Sequence, residues 1–441
     1  MQEAWVVAVD MGYGHQRAAY PLRHLSPTGK VLIANNYQGI SNKDRAIWQG
    51  SRHFYEFFSR SKNIPVVGNF LFDLLIDRMQ RIQPFYPTRD LTRPNFQLIT
   101  TYRTVRGGWG EQLVRLLNQK NIPLITTFPA VAFMAEEHSF KEDIYCVICD
   151  SDIARAWAPL SPRKSRIKYL TPCRRATERL SLYGVKDENI HLTGFPLPEE
   201  NLGTSKLGLL KADLSERIVN LDPERRYRQK FSGTFKQFFK DSKLHEVHRH
   251  PLTLSFAVGG AGAQRNIAKD LLRSLYGALV DKRINLNLVA GTRNDVYLYF
   301  QKLLNESGLD KHVGKNINII FATDKEDYFT EFNKSLRTTD VLWTKPSELI
   351  FYSALGLPII IAPPLGSQED YNKIWLKTVG AGISEENPRY ANEWLFDWVN
   401  SGWLAEAAMS GFLDGRQFGV ENMANVIFKG TKKPAKDYQL I

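Results

Sequence analysis

Two apolar runs, one near the start of the chain and one past its middle, each end in a cluster of glycines that leads into an amphipathic stretch. The first run, residues 5–9, is followed by Asp10-Met11-Gly12-Tyr13-Gly14-His15 and a helix from about Gln16. The second, residues 252–258, is followed by Gly259-Gly260-Ala261-Gly262-Ala263-Gln264 and a helix with Ile267, Leu271, Leu272 and Leu275 on one face. A buried strand feeding a helix through a tight glycine turn is the repeating unit of a parallel sheet covered on both faces. Other strand candidates keep the rhythm: 31–34, 96–100, 123–127 and 144–149 in the first half, and 286–290, 317–321, 341–344 and 358–362 in the second.

The rhythm breaks once. From 202 to 249 the chain is polar and charged, with Arg225, Arg226, Arg228, Lys230, Lys236, Lys240 and Lys243. The expected organisation is therefore an α/β protein of two doubly wound domains: 1–200, a polar basic inter-domain segment 201–250, and 251–395. Helices over 396–441 are expected to cross back to the N-terminal domain. A length of 441 residues fits this count, at roughly 100–200 residues per domain.

Composition adds limits on partners. Lys plus Arg number 58 against 46 Asp plus Glu, a net charge of +12. Such an excess suits an anionic partner: nucleic acid, anionic lipid or a phosphorylated substrate. No nucleic-acid recognition motif accompanies it. The three cysteines, Cys146, Cys149 and Cys173, cannot all pair, which points to a reducing compartment. Cys146-x-x-Cys149 lies inside an apolar strand with no second ligand pair, so it reads as core, and no metal site is expected. The N-terminus carries no basic and apolar leader. The longest apolar stretch, 64–76, is interrupted by Pro65, Gly68, Asn69 and Asp73. The expectation is a cytoplasmic protein that can touch the membrane from that side.

The chemistry-bearing residues cluster at the turns. Gly12 and Gly14 allow close backbone approach to a ligand, and the following helix start suits phosphate or a developing anion. His15 stands there as a proton acceptor near neutral pH, with Asp10 as a rival base. Gly259, Gly260, Ala261, Gly262, Ala263 and Gln264 leave room for a diphosphate, without the Gly-Lys-Ser/Thr of a Walker loop. A third region reads Thr344-Lys345-Pro346-Ser347-Glu348, then Ala354-Leu355-Gly356-Leu357-Pro358, then Gln368-Glu369-Asp370-Tyr371-Asn372. Gln368 and Asn372 share a helical face and can hydrogen-bond sugar hydroxyls. Asp150 follows the Cys149 strand. Trp48 and Phe54 lie on an aromatic, basic stretch, 45–81, whose two apolar stripes suit an interface with lipid or an ordinary core.

In this order the residues resemble the glycosyltransferases that include monogalactosyldiacylglycerol synthase, bacterial diacylglycerol glucosyltransferases and the N-acetylglucosaminyltransferase of peptidoglycan lipid synthesis. Gly12-Tyr13-Gly14-His15 with Ala18-Ala19 is similar to their G-x-G-H turn. Thr193-Gly194-Phe195-Pro196 looks like their T-G-x-P element. Gly259 to Gln264 resembles their donor loop, and Gly291-Thr292-Arg293-Asn294 their G-x-N turn. Lys345-Pro346, 354–358 and Gln368-Glu369-x-x-Asn372 match their donor segment. The resemblance implies a GT-B fold, two Rossmann-like domains facing a cleft. It implies a UDP-sugar donor, no cofactor or bound metal, inversion at the anomeric carbon and often a lipid acceptor.

It also implies a general-base role for His15. Donor contacts would come from the glycine loop, Asn294, Phe321, Ser347, Glu348, Gln368, Glu369 and Asn372. Gly12, Gly14, Asp150, Trp48 and Phe54 would stand on the acceptor side. One departure stands out: matched on Ala354-Leu355, Ser353 occupies the place of a ribose-binding glutamate, and a serine cannot accept two hydroxyls as a carboxylate can. Glu348 replaces it from earlier in the segment, or the donor differs. Two other readings share the fold: a non-catalytic binding protein, and a sugar-nucleotide epimerase or hydrolase.

Overall fold

The structure is a computed structural model that describes residues 2–50, 81–203, 206–239, 250–259, 262 and 264–430, the side chain of residue 235 aside. The chain divides into two compact units. The first comprises Met1–Leu197, Leu365–Asn372 and Arg416–Ile441; the second comprises Pro198–Pro364 and Lys373–Gly415.

The first unit is built on β1 (Trp5–Ala8), β2 (Leu32–Ile33), β3 (Leu124–Thr126), β4 (Ile144–Val147), β5 (Lys168–Thr171) and β6 (Ile190–Leu192). They form one parallel sheet in the order β2-β1-β3-β4-β5-β6. Every residue of β3 and β4 is buried, as helices on both faces require. One core cluster joins Val6, Ala8, Ile125, Tyr145, Val147 and Leu170 of the sheet to Ala19, Leu22 and Met423. Met423 belongs to the helix Gly419–Lys429, which docks on the Thr193-Gly194-Phe195 turn. Asn422 Nδ2 donates to the Thr193 carbonyl at 2.9 Å. Gly194 takes φ +93°, and a Cβ on Gly419 would fall inside the Phe195 carbonyl.

The second unit repeats the plan with β7 (Leu252–Ala257), β8 (Ile284–Gly291), β9 (Ile317–Phe321), β10 (Val341–Thr344), β11 (Ile359–Ile361) and β12 (Gly382–Ser384). Their order is β12-β11-β10-β7-β8-β9, again all parallel. Its core packs Trp343 edge-on against Phe256 and Trp394, and Trp394 at a tilt against Trp398. Within the polar stretch, the helix Gly208–Leu221 buries Leu210, Leu214, Ile218 and Arg217. The fully buried Arg217 donates to the carbonyls of Thr339 (2.7 Å), Leu336 (3.1 Å), Leu355 (2.9 Å) and Gly356 (3.2 Å). A buried guanidinium is tolerated because its donors are satisfied this way.

One strand expectation is corrected. Residues 96–100 lie in the helix Phe96–Arg106. Its start is fixed by Asn95, whose side chain accepts from the Leu98 amide at 2.9 Å, an N-cap. Leu98, Tyr102 and Val105 are buried, at helical and not strand spacing. Thr101 donates its hydroxyl to the Gln97 carbonyl one turn back at 2.9 Å, a bond that a mid-helix threonine can make. β5, β6 and β12 lacked a long apolar run and are additions to the sequence reading. The three cysteines are buried and none is in a disulfide, and burial pushes the Cys146 thiol well up. Among the described residues no helix is long and apolar enough to cross a membrane.

Two stability tests follow from this packing. Gly419→Ala forces a methyl group into the Phe195 carbonyl and is expected to cost about 1–3 kcal/mol, read as a lower thermal midpoint. Glu385, half-buried beside Trp343, is raised from its ordinary 4.5 to about 7 by burial, against the lowering effect of its hydrogen bond from Trp343 and of Lys373. The fold favours its protonated form. That contribution to stability is complete below pH 4.5 and is lost as pH rises through about 7. Thermal midpoints across that range should fall more steeply for the wild type than for Glu385→Gln.

Candidate functional site

In an open parallel sheet the strand order reverses at one place. The loops leaving the two strands there go to opposite faces, so a crevice opens at the carboxyl ends. In the first unit this place lies between β1 and β3, and in the second between β7 and β10. The first glycine turn leaves β1 and the second leaves β7, so each stands at its own sheet's reversal.

In the first unit, the Asp10 amide donates to Asn35 Oδ1 at 2.8 Å, and Asn35 Nδ2 donates back to the Asp10 carbonyl at 3.2 Å. This pair holds the turn to the residues after β2. Gly12 takes φ +90°, a conformation side chains rarely adopt. Gly14 opens the helix Gly14–Ala19. His15 follows, and its Nδ1 lies 2.7 Å from the Thr127 carbonyl, just past β3. A carbonyl can only accept, so Nδ1 carries the proton and Nε2 the lone pair of the neutral ring. Thr127 Oγ1 donates to the His15 carbonyl at 2.8 Å. The Phe128 ring meets the imidazole edge-on at 4.9 Å. Position, tautomer and ring plane are thus all set.

His15 lines a cavity of about 600 Å³ formed by first-unit residues. Its apolar wall includes Trp48, Phe96, Trp109, Phe128, Phe133 and Trp157. Trp48 is 3% exposed and packs on Trp109 at 4.7 Å, so of the expected aromatic stretch it belongs to the interior. Phe54 lies outside the described residues. Polar groups are few: Asp150, Asp152, Gln97, Thr100, Thr101 and Gln368 join His15. The size suits a small organic ligand, for which pockets run roughly 300–1,000 Å³.

The two aspartates differ. Asp152 is buried in a two-point ion pair with Arg179, at 2.7 and 2.8 Å, and also accepts from the Ile153 amide at 2.9 Å. Its charge is committed to the fold. Asp150 Oδ1 accepts from Asn372 Nδ2 at 2.8 Å. Asn372 Oδ1 in turn accepts from both the amide and the hydroxyl of Ser151, each at 2.8 Å. The helix Ser367–Thr378 supplies Asn372, and its residues to Asn372 count with the first unit. Glu369, 4% exposed, accepts from the Leu365 amide at 2.8 Å and so caps this helix. Of the three polar residues read as sugar contacts, Gln368 lines the cavity, while Glu369 and Asn372 make bonds within the protein.

In the second unit, Ala257 and Thr344 pair across β7 and β10, so Gly259 and Lys345 leave the sheet side by side. A Cβ on Gly259 would lie 2.5 Å from Lys345 Cε, and one on Gly262 would lie 3.7 Å from Arg293 Nε. Gln264 takes φ +69°, and its Nε2 donates to the Pro363 carbonyl. Gly260, Ala261 and Ala263 lie outside the described residues. Asn294 begins the helix Asn294–Glu306. Phe321 ends β9 and stacks on Tyr297 at 4.7 Å, 24° between planes. The Ser347 amide donates to the Lys345 carbonyl at 2.8 Å. Glu348 is buried at the start of the 3-10 helix Glu348–Leu355. Ser353 is buried in the same turn, against Gly411 of the helix Trp403–Asp414: a Cβ there would come within 2.9 Å of its own.

Sequence reading did not select most of the cavity's aromatic wall, because Phe96, Trp109, Phe128, Phe133 and Trp157 come from separate segments and share no spacing. Lys345 and Arg293 were present in quoted motifs but without a role.

Residues 242–395, which include β7 to β12, match a family described as a domain of unknown function (DUF6938). No curated protein matches the chain by sequence. Among solved structures, S. aureus MnaA with UDP is similar at TM-score 0.50 and 12% identity, over 99% of this chain and 100% of that one. UDP-GlcNAc 2-epimerase from Neisseria meningitidis bound to UDP-GlcNAc gives 0.47 and 11%, over 97% and 99%. Acinetobacter baumannii MurG gives 0.46 and 13%, over 96% and 99%. The two six-stranded parallel sheets and the first of these likenesses define the fold class as GT-B, with two Rossmann-like domains.

Replacing Asn372 with alanine leaves Asp150 and the Ser151 amide each one bond short. Stability is expected to fall by about 1–3 kcal/mol, measured by denaturant unfolding.

Proposed function

We propose that this protein is an inverting glycosyltransferase that moves a sugar from a nucleotide diphosphate sugar, a UDP-sugar by preference, to the hydroxyl of an acceptor with an apolar body. The observation that carries the reading is His15. It stands at the sheet reversal with Nδ1–H bound to the Thr127 carbonyl, and it lines an aromatic cavity. That is how a general base is held for a hydroxyl whose carrier is apolar. The resemblance of the G-x-G-H turn to that of the lipid glycosyltransferases supports the same role. So does the presence of nucleotide-sugar enzymes among the structures of similar fold.

In the reaction, the acceptor oxygen attacks the anomeric carbon from the side opposite the diphosphate. As the new C–O bond forms, the hydroxyl proton passes to His15 Nε2. The bond from carbon to the diphosphate oxygen breaks, and its electron pair leaves with the diphosphate. The second unit supplies the donor end: the glycine turn after β7 for the diphosphate, with Phe321 and Glu348 for the nucleoside. The leaving charge is assigned to protein donors. The cavity wall suits a lipid or aromatic alcohol, and work at a membrane surface is part of this proposal.

Thermal midpoints measured with UDP, UDP-glucose, UDP-galactose, UDP-N-acetylglucosamine and other nucleotides test the donor half. Uridine diphosphates should raise the midpoint by mass action, and no shift at millimolar concentration sinks it. His15→Asn should leave that shift intact while lowering turnover of the bound UDP-sugar about 100- to 10,000-fold, as loss of a general base does. Conversion of the sugar with no acceptor and no free UDP would mark an epimerase instead.

A further inference from the structure

We propose that Lys345 is the residue whose ammonium binds the donor diphosphate, and that Gly259 lacks a side chain in order to seat the lysine stem. The inference rests on the reading of the second unit as a nucleotide diphosphate site, and gives an individual role to a residue that the resemblance placed only within the donor segment.

The argument begins with topology. β7 and β10 are the strands between which the second sheet reverses, and ligands of open α/β sheets sit at the carboxyl ends there. Lys345 is the first residue after β10 and Gly259 the second after β7. The half-buried lysine lies along the glycine: an added Cβ would stand 2.5 Å from Cε, 2.9 Å from Cδ and 3.6 Å from Nζ. Any side chain at 259 would displace the stem. Gly259 does not take a positive φ, so backbone strain does not explain the glycine; the space it leaves for Lys345 does.

The other end of the turn is also basic. Arg293 lies beside Gly262, 3.7 Å from its absent Cβ. Arg293 and Arg265 share the single carboxylate of Asp295, at 2.9 and 3.1 Å. Two guanidiniums thus meet at that end of the turn. With the Lys345 ammonium at the first glycine, the turn is flanked by positive charge on both sides. A sugar-linked diphosphate carries two negative charges and gains another as the sugar leaves. Side-chain cations at such a turn hold it before the bond breaks and stabilise it afterwards.

The test compares UDP with uridine, by calorimetry for the first and ligand-detected NMR for the second. Lys345→Met keeps the stem and removes the charge. It should weaken UDP binding about 10- to 100-fold and leave uridine binding unchanged, and Lys345→Arg should restore most of the UDP affinity. Gly259→Ala should weaken UDP in the wild type, yet add no loss in a Lys345→Ala background, where the methyl has room. Thermal midpoints of each variant check that it is folded. Equal UDP affinity in wild type and Lys345→Met overturns the proposal and leaves the donor site standing. So does an equal loss of UDP and uridine, which marks a packing role. A wild type that binds neither removes the donor reading, and this proposal with it.

Discussion

A parallel sheet wound outward from an inner strand in both directions cannot be covered evenly at its carboxyl edge. The two connections that leave the reversal point turn to opposite faces, and the backbone between them opens. Each unit has one such point, and each has spent its glycines there. Gly12 and Gly14 follow β1, and Gly259 and Gly262 follow β7. What stands in those openings, His15 in one and Lys345 with Arg293 in the other, is placed by strand order before any side-chain preference acts.

The polar groups near the first opening divide by how far they are committed. Asp152 is fully engaged by Arg179, and removing either partner would strand a buried charge. Asn372 links Asp150 to Ser151, so a residue distant in sequence is tied to the segment that follows β4. The Nδ1 of His15 is bound to the Thr127 carbonyl, and the proton position this imposes on the neutral ring leaves the lone pair on Nε2. Aromatic side chains line the cavity around it.

Much of the fold was legible because the signals were local. Apolar runs ending in glycine marked β1 and β7, and β9 and β10 match the runs read at 317–321 and 341–344. Residues 96–100 misled because β-branched residues suggest a strand, while the competing signal was a single capping residue, Asn95. β6 and β12 are edge strands of three residues, too short for alternation to register. At the candidate site, His15, Asp150 and Trp48 stood out in the sequence and all line the cavity. Trp109, Phe128, Phe133 and Trp157 did not, since an isolated aromatic residue looks the same whether it fills a core or walls a pocket.

By itself the sequence determined the two doubly wound units, the glycine turns and the chemical character of the residues beside them, because these follow from hydrophobic pattern and backbone freedom along the chain. Only the tertiary structure decided which nitrogen of His15 carries the proton, that Glu369 and Asn372 spend their polar groups on the protein's own backbone and side chains, and that Gly259 makes room for Lys345. All but the Glu369 bond, which reaches only four residues back, are contacts between segments far apart in the chain. No local pattern records such a meeting, since strand order and helix docking choose the partners.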